Sequence, residues 1–263
     1  MDQTRAQTAI SFLDVSKRFI RPDGTSFDAL RNVSFEVRLG EIVAILGPSG
    51  SGKTTLLNIA AGLSTRDRGR VFILGQELGP AVDWNRVGYM FQDDRLLPWR
   101  AAVGNVALAL EAGDMPAAER RRRAQQGLAM VGLADFTDVF PHQLSGGMRS
   151  RVALARSLVG EPDILLMDEP FSRLDAQTRT TMHSELLQIH AQRGMSIVCV
   201  THDVEEAVVL ADRVVMLSPR PGQVRRRVDV PLSHPRLGLP EAIALIAELR
   251  SSQTDPDAQE TLS

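Results

Sequence analysis

The stretch Gly47-Pro48-Ser49-Gly50-Ser51-Gly52-Lys53-Thr54-Thr55 constrains this chain more than any other. It satisfies the pattern G-x-x-x-x-G-K-[ST], and its flanks suit that pattern: the continuously apolar run Ile42–Leu46 precedes it and a helical pattern, Lys53–Ala61, follows. A strand apolar at every position is buried on both faces, as in a parallel sheet covered by helices. Glycines let backbone N–H groups turn inward around a triphosphate, and the next helix directs its positive end at it. Lys53 then reaches the β- and γ-phosphates, and the Thr54 hydroxyl ligates Mg2+. A bare glycine loop arising by chance is the alternative, and the full pattern with both flanks in place argues against it.

The remaining pattern extends this α/β reading. Ser11–Ser16 and Val33–Val37 read as short alternating strands around the turn Arg21-Pro22-Asp23-Gly24, an antiparallel edge layer. From Arg95 to Val159 the chain turns mostly helical, with a helix start at Met115-Pro116 and a break at Pro141. Apolar runs resume at Ile164–Met167, Ser196–Val200 and Arg213–Leu217, separated by the helical stretches Gln177–Arg193 and Val204–Leu210, which implies a mostly parallel sheet. After Pro219-Arg220-Pro221-Gly222 come a last strand, Gln223–Val230, and an amphipathic helix near Glu241–Arg250, with residues from Ser251 read as a polar, frayed end. The chain therefore divides into a main domain over 8–230, containing a helical subdomain at about 95–159, and a C-terminal helix and tail over 231–263.

Bulk properties narrow the function. With 263 residues and 43% hydrophobic content a sizeable core is available. A formal charge of -2 gives no general attraction to nucleic acid or to an anionic membrane. The run Arg120–Arg123 follows Glu119 on a predicted helix and reads as a solvated face, so no nucleic-acid partner is expected. The single cysteine, Cys199, lies in the apolar run Ile197–Val200 and reads as a small buried hydrophobe in a reducing, cytoplasmic setting. Met1–Ala9 lacks the hydrophobic stretch of a signal peptide, and no segment holds the ~20 apolar residues of a membrane span, so work at a membrane would need a recruiting partner.

Two further elements carry chemistry. The apolar strand Ile164–Met167 ends in Asp168-Glu169. Alone, this pair could be a strand-ending cap; beside a phosphate loop, strand alternation sends Asp168 toward Mg2+ and Glu169 toward a water in line with the γ-phosphate, as general base. Leu144-Ser145-Gly146-Gly147-Met148 precedes the helical run Arg149–Val159 and offers small residues at a helix N-terminus, either a plain serine cap with a tight turn or a second anion site.

Together and in this order, the three motifs resemble the ATP-binding-cassette ATPases, over about residues 8–230. The resemblance makes Leu144–Met148 the signature sequence, with Ser145 and Gly147 closing over the ATP of a second subunit. It makes Gln92, in Met90-Phe91-Gln92, the glutamine that senses Mg2+ and the permease, and His202, in Thr201-His202-Asp203, the switch histidine on the γ-phosphate. Ser172-Arg173-Leu174-Asp175 resembles the loop that communicates across the dimer, with Asp175 at the nucleotide and Arg173 where the family usually has alanine. Phe19 resembles the aromatic that stacks on adenine, where tyrosine is commoner; a core residue of an edge strand is the equal alternative.

Within that family, Leu96-Leu97-Pro98-Trp99-Arg100, the variant Ser145-Gly146-Gly147-Met148-Arg149 and Ser218-Pro219-Arg220-Pro221-Gly222 resemble the nitrate/sulfonate/taurine importer group. The implied assembly is an ATP-dependent homodimer, two membrane permease subunits and a solute-binding protein, with this chain peripheral on the cytoplasmic face of the inner membrane. Leu96, Pro98 and Trp99 are expected in the socket for a permease helix, against a core reading of the same run. The weighed alternatives are a non-transport cassette ATPase, whose coiled-coil insertion or second cassette is missing, a phosphate-loop kinase, which leaves the signature unexplained, and an exporter subunit.

Overall fold

A computed structural model describes residues 8–254, and these residues form two units, one built from the segments up to Val82 and from Val198 onward, the other from Asp83–Ile197.

In the first unit, β1 (Thr8–Ile20) and β2 (Ser26–Arg38) make a long antiparallel hairpin across the Arg21–Thr25 turn, with Phe12 opposite Phe35 and Phe19 opposite Phe27. Each strand runs 13 residues, so the two short strands expected from the sequence are segments of longer ones. Charged pairs such as Arg18–Asp28 interrupt the apolar alternation outside those segments while the ladder continues through them. On the other edge of β1 lie β4 (Arg68–Ile73) and then β5 (Gln76–Glu77), giving the order β2-β1-β4-β5.

The same unit holds the apolar strand β3 (Ile42–Leu46), buried at every position, which leads through the glycine loop into α1 (Lys53–Ala60). Beside β3 run β8 (Ser196–Thr201) on one side and β9 (Arg213–Leu217), parallel to it, on the other. The helix α6 (Val204–Leu210) links β8 to β9, and β10 (Val224–Asp229) pairs antiparallel at the outer edge of β9. The C-terminal helix α7 (Pro240–Thr254) continues through Ser251–Thr254, correcting the expected fraying from Ser251; Arg226 anchors it by an ion pair with Glu248 and a bond to the Ser252 hydroxyl. The expected tail beyond Thr254, like the N-terminal residues before Thr8, lies outside the described residues.

In the second unit, β6 (Val87–Met90) lies parallel to β7 (Ile164–Asp168). Between them the chain forms α2 (Ala102–Ala107), α3 (Ala117–Met130) and α4 (Gly146–Leu158), packed on Val103, Val106, Leu128, Val152 and Ala155. Pro116 caps α3 where a helix start was expected, and Glu119 pairs with Arg122 and Arg123, so that basic run is a solvated face. The long α5 (Ala176–Arg193) follows β7 and ends on Gly194 in the left-handed region. Cys199 is buried, as expected of a small hydrophobe. Among the described residues no helix is long and apolar enough to cross a membrane.

Candidate nucleotide-binding and signature sites

In the first unit, the loop of Gly47–Gly52 wraps the head of α1. Gly52 caps the helix at φ 89, and a Cβ there would stand 2.6 Å from Leu30 Cδ2 of β2, so only glycine fits. Lys53 is 5% exposed and its Nζ donates to the carbonyls of Gly47, at 2.8 Å, and Pro48, at 3.0 Å. A compact ammonium fits under this loop where a planar guanidinium would not, which accounts for one of only two lysines among 30 basic residues. The Ser51 hydroxyl is buried without a hydrogen-bond partner among the described residues. An orphaned buried hydroxyl costs stability unless a ligand satisfies it. Pro48, Ser49, Gly50 and Thr54 are exposed and Thr55 is half-buried. Ammonium, hydroxyls and a helix N-terminus together form a donor set that suits an anion with a bound cation.

Phe19 is 37% exposed, with its ring 5.8 Å from Phe27 and the Lys17 ammonium 5.3 Å from its centroid. One edge of the ring is therefore held by the hairpin and the rest is accessible, between the stacking and core alternatives. His202 is exposed at the end of β8, immediately before Asp203, whose carboxylate caps α6 by accepting from the Glu205 and Glu206 N–H groups.

In the second unit, Asp168 closes β7 and is 7% exposed, while Glu169 follows with φ 45, a conformation that turns its side chain away from the strand's alternation. Gln92, just past β6, donates from Nε2 to Glu169 Oε2 at 3.3 Å. The Ser172 hydroxyl donates to the Glu169 carbonyl at 2.9 Å, and Arg173 forms an ion pair of 2.5 Å with Asp93. Thus the segment after Gln92 and the segment after Glu169 are joined at two neighbouring points. Arg173, without an account from the sequence, is one of these joints.

Ser145 caps α4 by accepting from the Met148 N–H at 3.2 Å, and Asp175 caps α5 by accepting from the N–H and hydroxyl of Thr178. Those bonds, the backbone one foremost, hold the Asp175 carboxyl below the usual carboxylate range. A Cβ on Gly147 would come within 2.8 Å of Thr178 Cγ2, so the signature turn and the head of α5 pack too closely for a side chain. Ser145, Gly147 and Asp175 thus lie on neighbouring caps.

Two arginines of α4 hold the loop after Gln92: Arg149 pairs with Asp94 at 3.0 Å, and Arg156 donates to the carbonyls of Asp94 and Arg95. Sequence reasoning missed the next support. Buried Asn105 of α2 accepts from the Leu97 N–H at 2.6 Å and donates to the carbonyls of Leu97, Arg100 and Ala101. That clamp fixes the Leu97–Arg100 turn and leaves Trp99 71% exposed, with Pro98 exposed and Leu96 half-buried, so the core alternative fails for Trp99. A lone asparagine in an apolar helix gives no signal that it closes a turn upstream.

The family described as ABC transporter matches residues 30–172. The chain is 46% identical over 208 residues to the aliphatic sulfonates import ATP-binding protein of Xanthomonas axonopodis pv. citri, covering 79% of this chain and 82% of that protein. It is 43% identical over 224 residues to the nitrate import ATP-binding protein of Synechocystis, covering 85% and 83%, and 40% identical over 227 residues to the taurine import ATP-binding protein of Roseobacter denitrificans, covering 86% and 84%. A dimeric ATP-binding cassette solved in a post-hydrolysis state with ADP and Pi superposes with a TM-score of 0.76 at 34% identity, over 85% of this chain and all of that one. With the phosphate loop, the strand-ending carboxylates and the signature turn in place, this chain belongs to the ABC transporter family, as an ATPase whose hydrolysis is coupled to transport.

Proposed function

We propose that this chain is the ATPase subunit of an importer for a small solute of the nitrate, sulfonate or taurine type, and that it drives permease subunits encoded as separate chains. The observation that carries the reading is the loop of Gly47–Gly52, with Lys53 drawn beneath it and the Ser51 hydroxyl lacking a partner among the described residues, in a chain whose relatives are named for import of those solutes.

In this reading Lys53 and the N–H groups from Gly50 to Thr55 hold the β- and γ-phosphates of ATP, and Phe19 stacks on adenine. The Thr54 hydroxyl, Gln92 and Asp168 would hold Mg2+, which would neutralise charge on the phosphates. Glu169 takes the proton of the attacking water, His202 bonds the γ-phosphate, and Gln92 reports the state of the site to the loop that ends in Trp99. Ser145, Gly147 and Asp175 act on the nucleotide of a second copy, so two chains face head to tail when ATP is bound.

The chain then works on the cytoplasmic face of the inner membrane, held by the permease through Leu96, Pro98 and Trp99, with a solute-binding protein delivering cargo on the far side. An exposed tryptophan beside a proline-stiffened turn is a suitable anchor for a partner helix. The test is uptake into vesicles carrying the chain with its permease and binding protein. ATP-dependent accumulation of labelled taurine, an alkanesulfonate or nitrate supports the reading, and ATP-dependent loss of solute from the importing side's opposite compartment, or dependence on none of the three, contradicts it.

A further inference from the structure

The turn Ser218–Gly222 belongs to neither the phosphate loop nor the hydrolytic residues, yet it is sewn to the wall of the nucleotide loop. Gly222 donates its N–H to the Ala29 carbonyl and accepts from the Arg31 N–H, both at 2.9 Å, and its backbone packs directly on the Ser51 carbonyl. The Ser218 hydroxyl donates to the Pro221 carbonyl at 2.9 Å and accepts from the Gln223 N–H at 3.0 Å, fixing the turn internally.

This places Arg220 in a defined position. Its guanidinium lies 4.4 Å from the ring centroid of Phe27, the cross-strand partner of Phe19, and a Cβ on Gly50 would stand 3.3 Å from Arg220 Nη2. A second guanidinium, Arg21, lies 5.0 Å from the same ring. Among the described residues neither arginine pairs with a carboxylate, whereas Arg18, Arg31 and Lys17 on the same hairpin all do. Two like charges gathered on one aromatic ring beside a phosphate loop repel each other unless an anion lies among them.

We propose that Arg220 is a second cation of the nucleotide site, seated by Phe27 and reaching the phosphate chain of ATP from beside Gly50. The proposal rests on the reading of Gly47–Thr55 as the ATP site and adds a residue to it. Arginine suits the position because its planar group stacks on the ring while its edge donates to phosphate oxygens.

The experiment is calorimetric titration of the full-length chain with a non-hydrolysable ATP analogue and Mg2+, for the parent protein, Lys53→Ala, Arg220→Gln and Arg220→Lys, with the melting temperature of each taken without nucleotide. Arg220→Gln should bind about threefold to tenfold more weakly, and Arg220→Lys, which keeps the charge but not the stacked plane, should fall between the parent and the glutamine variant, all at unchanged melting temperature, as expected for a partly exposed charge–phosphate contact. If Arg220→Gln binds as the parent does while Lys53→Ala does not bind, Arg220 has no part in the site and the inference falls alone. If the lysine variant is as weak as the glutamine one, the charge is not what matters and the inference is overturned. If Lys53→Ala binds normally, the reading of the loop itself fails.

Discussion

The Gln92 amide donates to the Glu169 carboxylate at 3.3 Å, and Asp93, next after Gln92, forms an ion pair of 2.5 Å with Arg173 on the segment that follows Glu169. The outer pair is open to solvent, at 58% and 68% side-chain exposure. Exposed pairs contribute about 0–1 kcal/mol and weaken with salt. A double-mutant cycle on Asp93→Ala and Arg173→Ala, read by chemical denaturation, should therefore give a coupling energy below about 1 kcal/mol that shrinks at high salt. A salt-insensitive coupling of several kcal/mol would show that the pair is a structural strut.

Asn105 should behave differently, because all its partners are backbone groups of one turn and it is fully buried. Asn105→Leu removes the partner of the Leu97 N–H and of the Arg100 carbonyl, while the Leu97 and Ala101 carbonyls keep the backbone N–H groups of Arg100 and residue 105, at a cost of about 2–4 kcal/mol. Denaturant midpoints of the two proteins measure it, and a variant as stable as the parent would mean that water or a rearranged turn replaces the clamp.

Much of this was legible in the sequence, for physical reasons that differ by region. The phosphate loop, β3 and α1 could be read directly because every position of the loop is dictated by turning the backbone around an anion. Pro116 announced α3 because proline cannot follow a helical turn and suits the start of one. By contrast β4 begins Arg68-Gly69-Arg70 and β6 spans only Val87–Met90, so neither offers enough alternation to register as a strand. The partners of Arg173 and Asn105 were illegible because an ion pair across the fold and a side-chain clamp on backbone leave no periodic trace. The turn containing Arg220 was visible as a motif, but its position against Phe27 and Gly50 exists only in three dimensions.

Trp99 tests the permease-facing loop. Its exposure means that Trp99→Ala removes no core packing, so the isolated subunit should keep its melting temperature and basal ATPase within about twofold while transport by the assembled complex falls at least about tenfold, the loss of an interface anchor. Basal ATPase of the free subunit is measured beside solute uptake by the reconstituted transporter. Normal uptake, or an unfolded variant, would remove Trp99 from the interface.

The signature turn makes a prediction about assembly. If Ser145 and Gly147 complete the site of a second copy, a Glu169→Gln chain, trapped with ATP, should dimerise on adding nucleotide. Adding Ser145→Arg, which places a long cation at the exposed head of α4, should keep it monomeric. Light scattering with and without ATP reads both, and nucleotide-independent monomers in each case would contradict the shared site.

Glu169 is read as the base that activates the water for ATP cleavage, and steady-state phosphate release by purified Glu169→Gln decides whether it is. ATP affinity should stay within about threefold of the parent chain while turnover falls by about 10²–10⁴-fold, the usual contribution of a general base. Turnover near that of the parent, with binding intact, would contradict it.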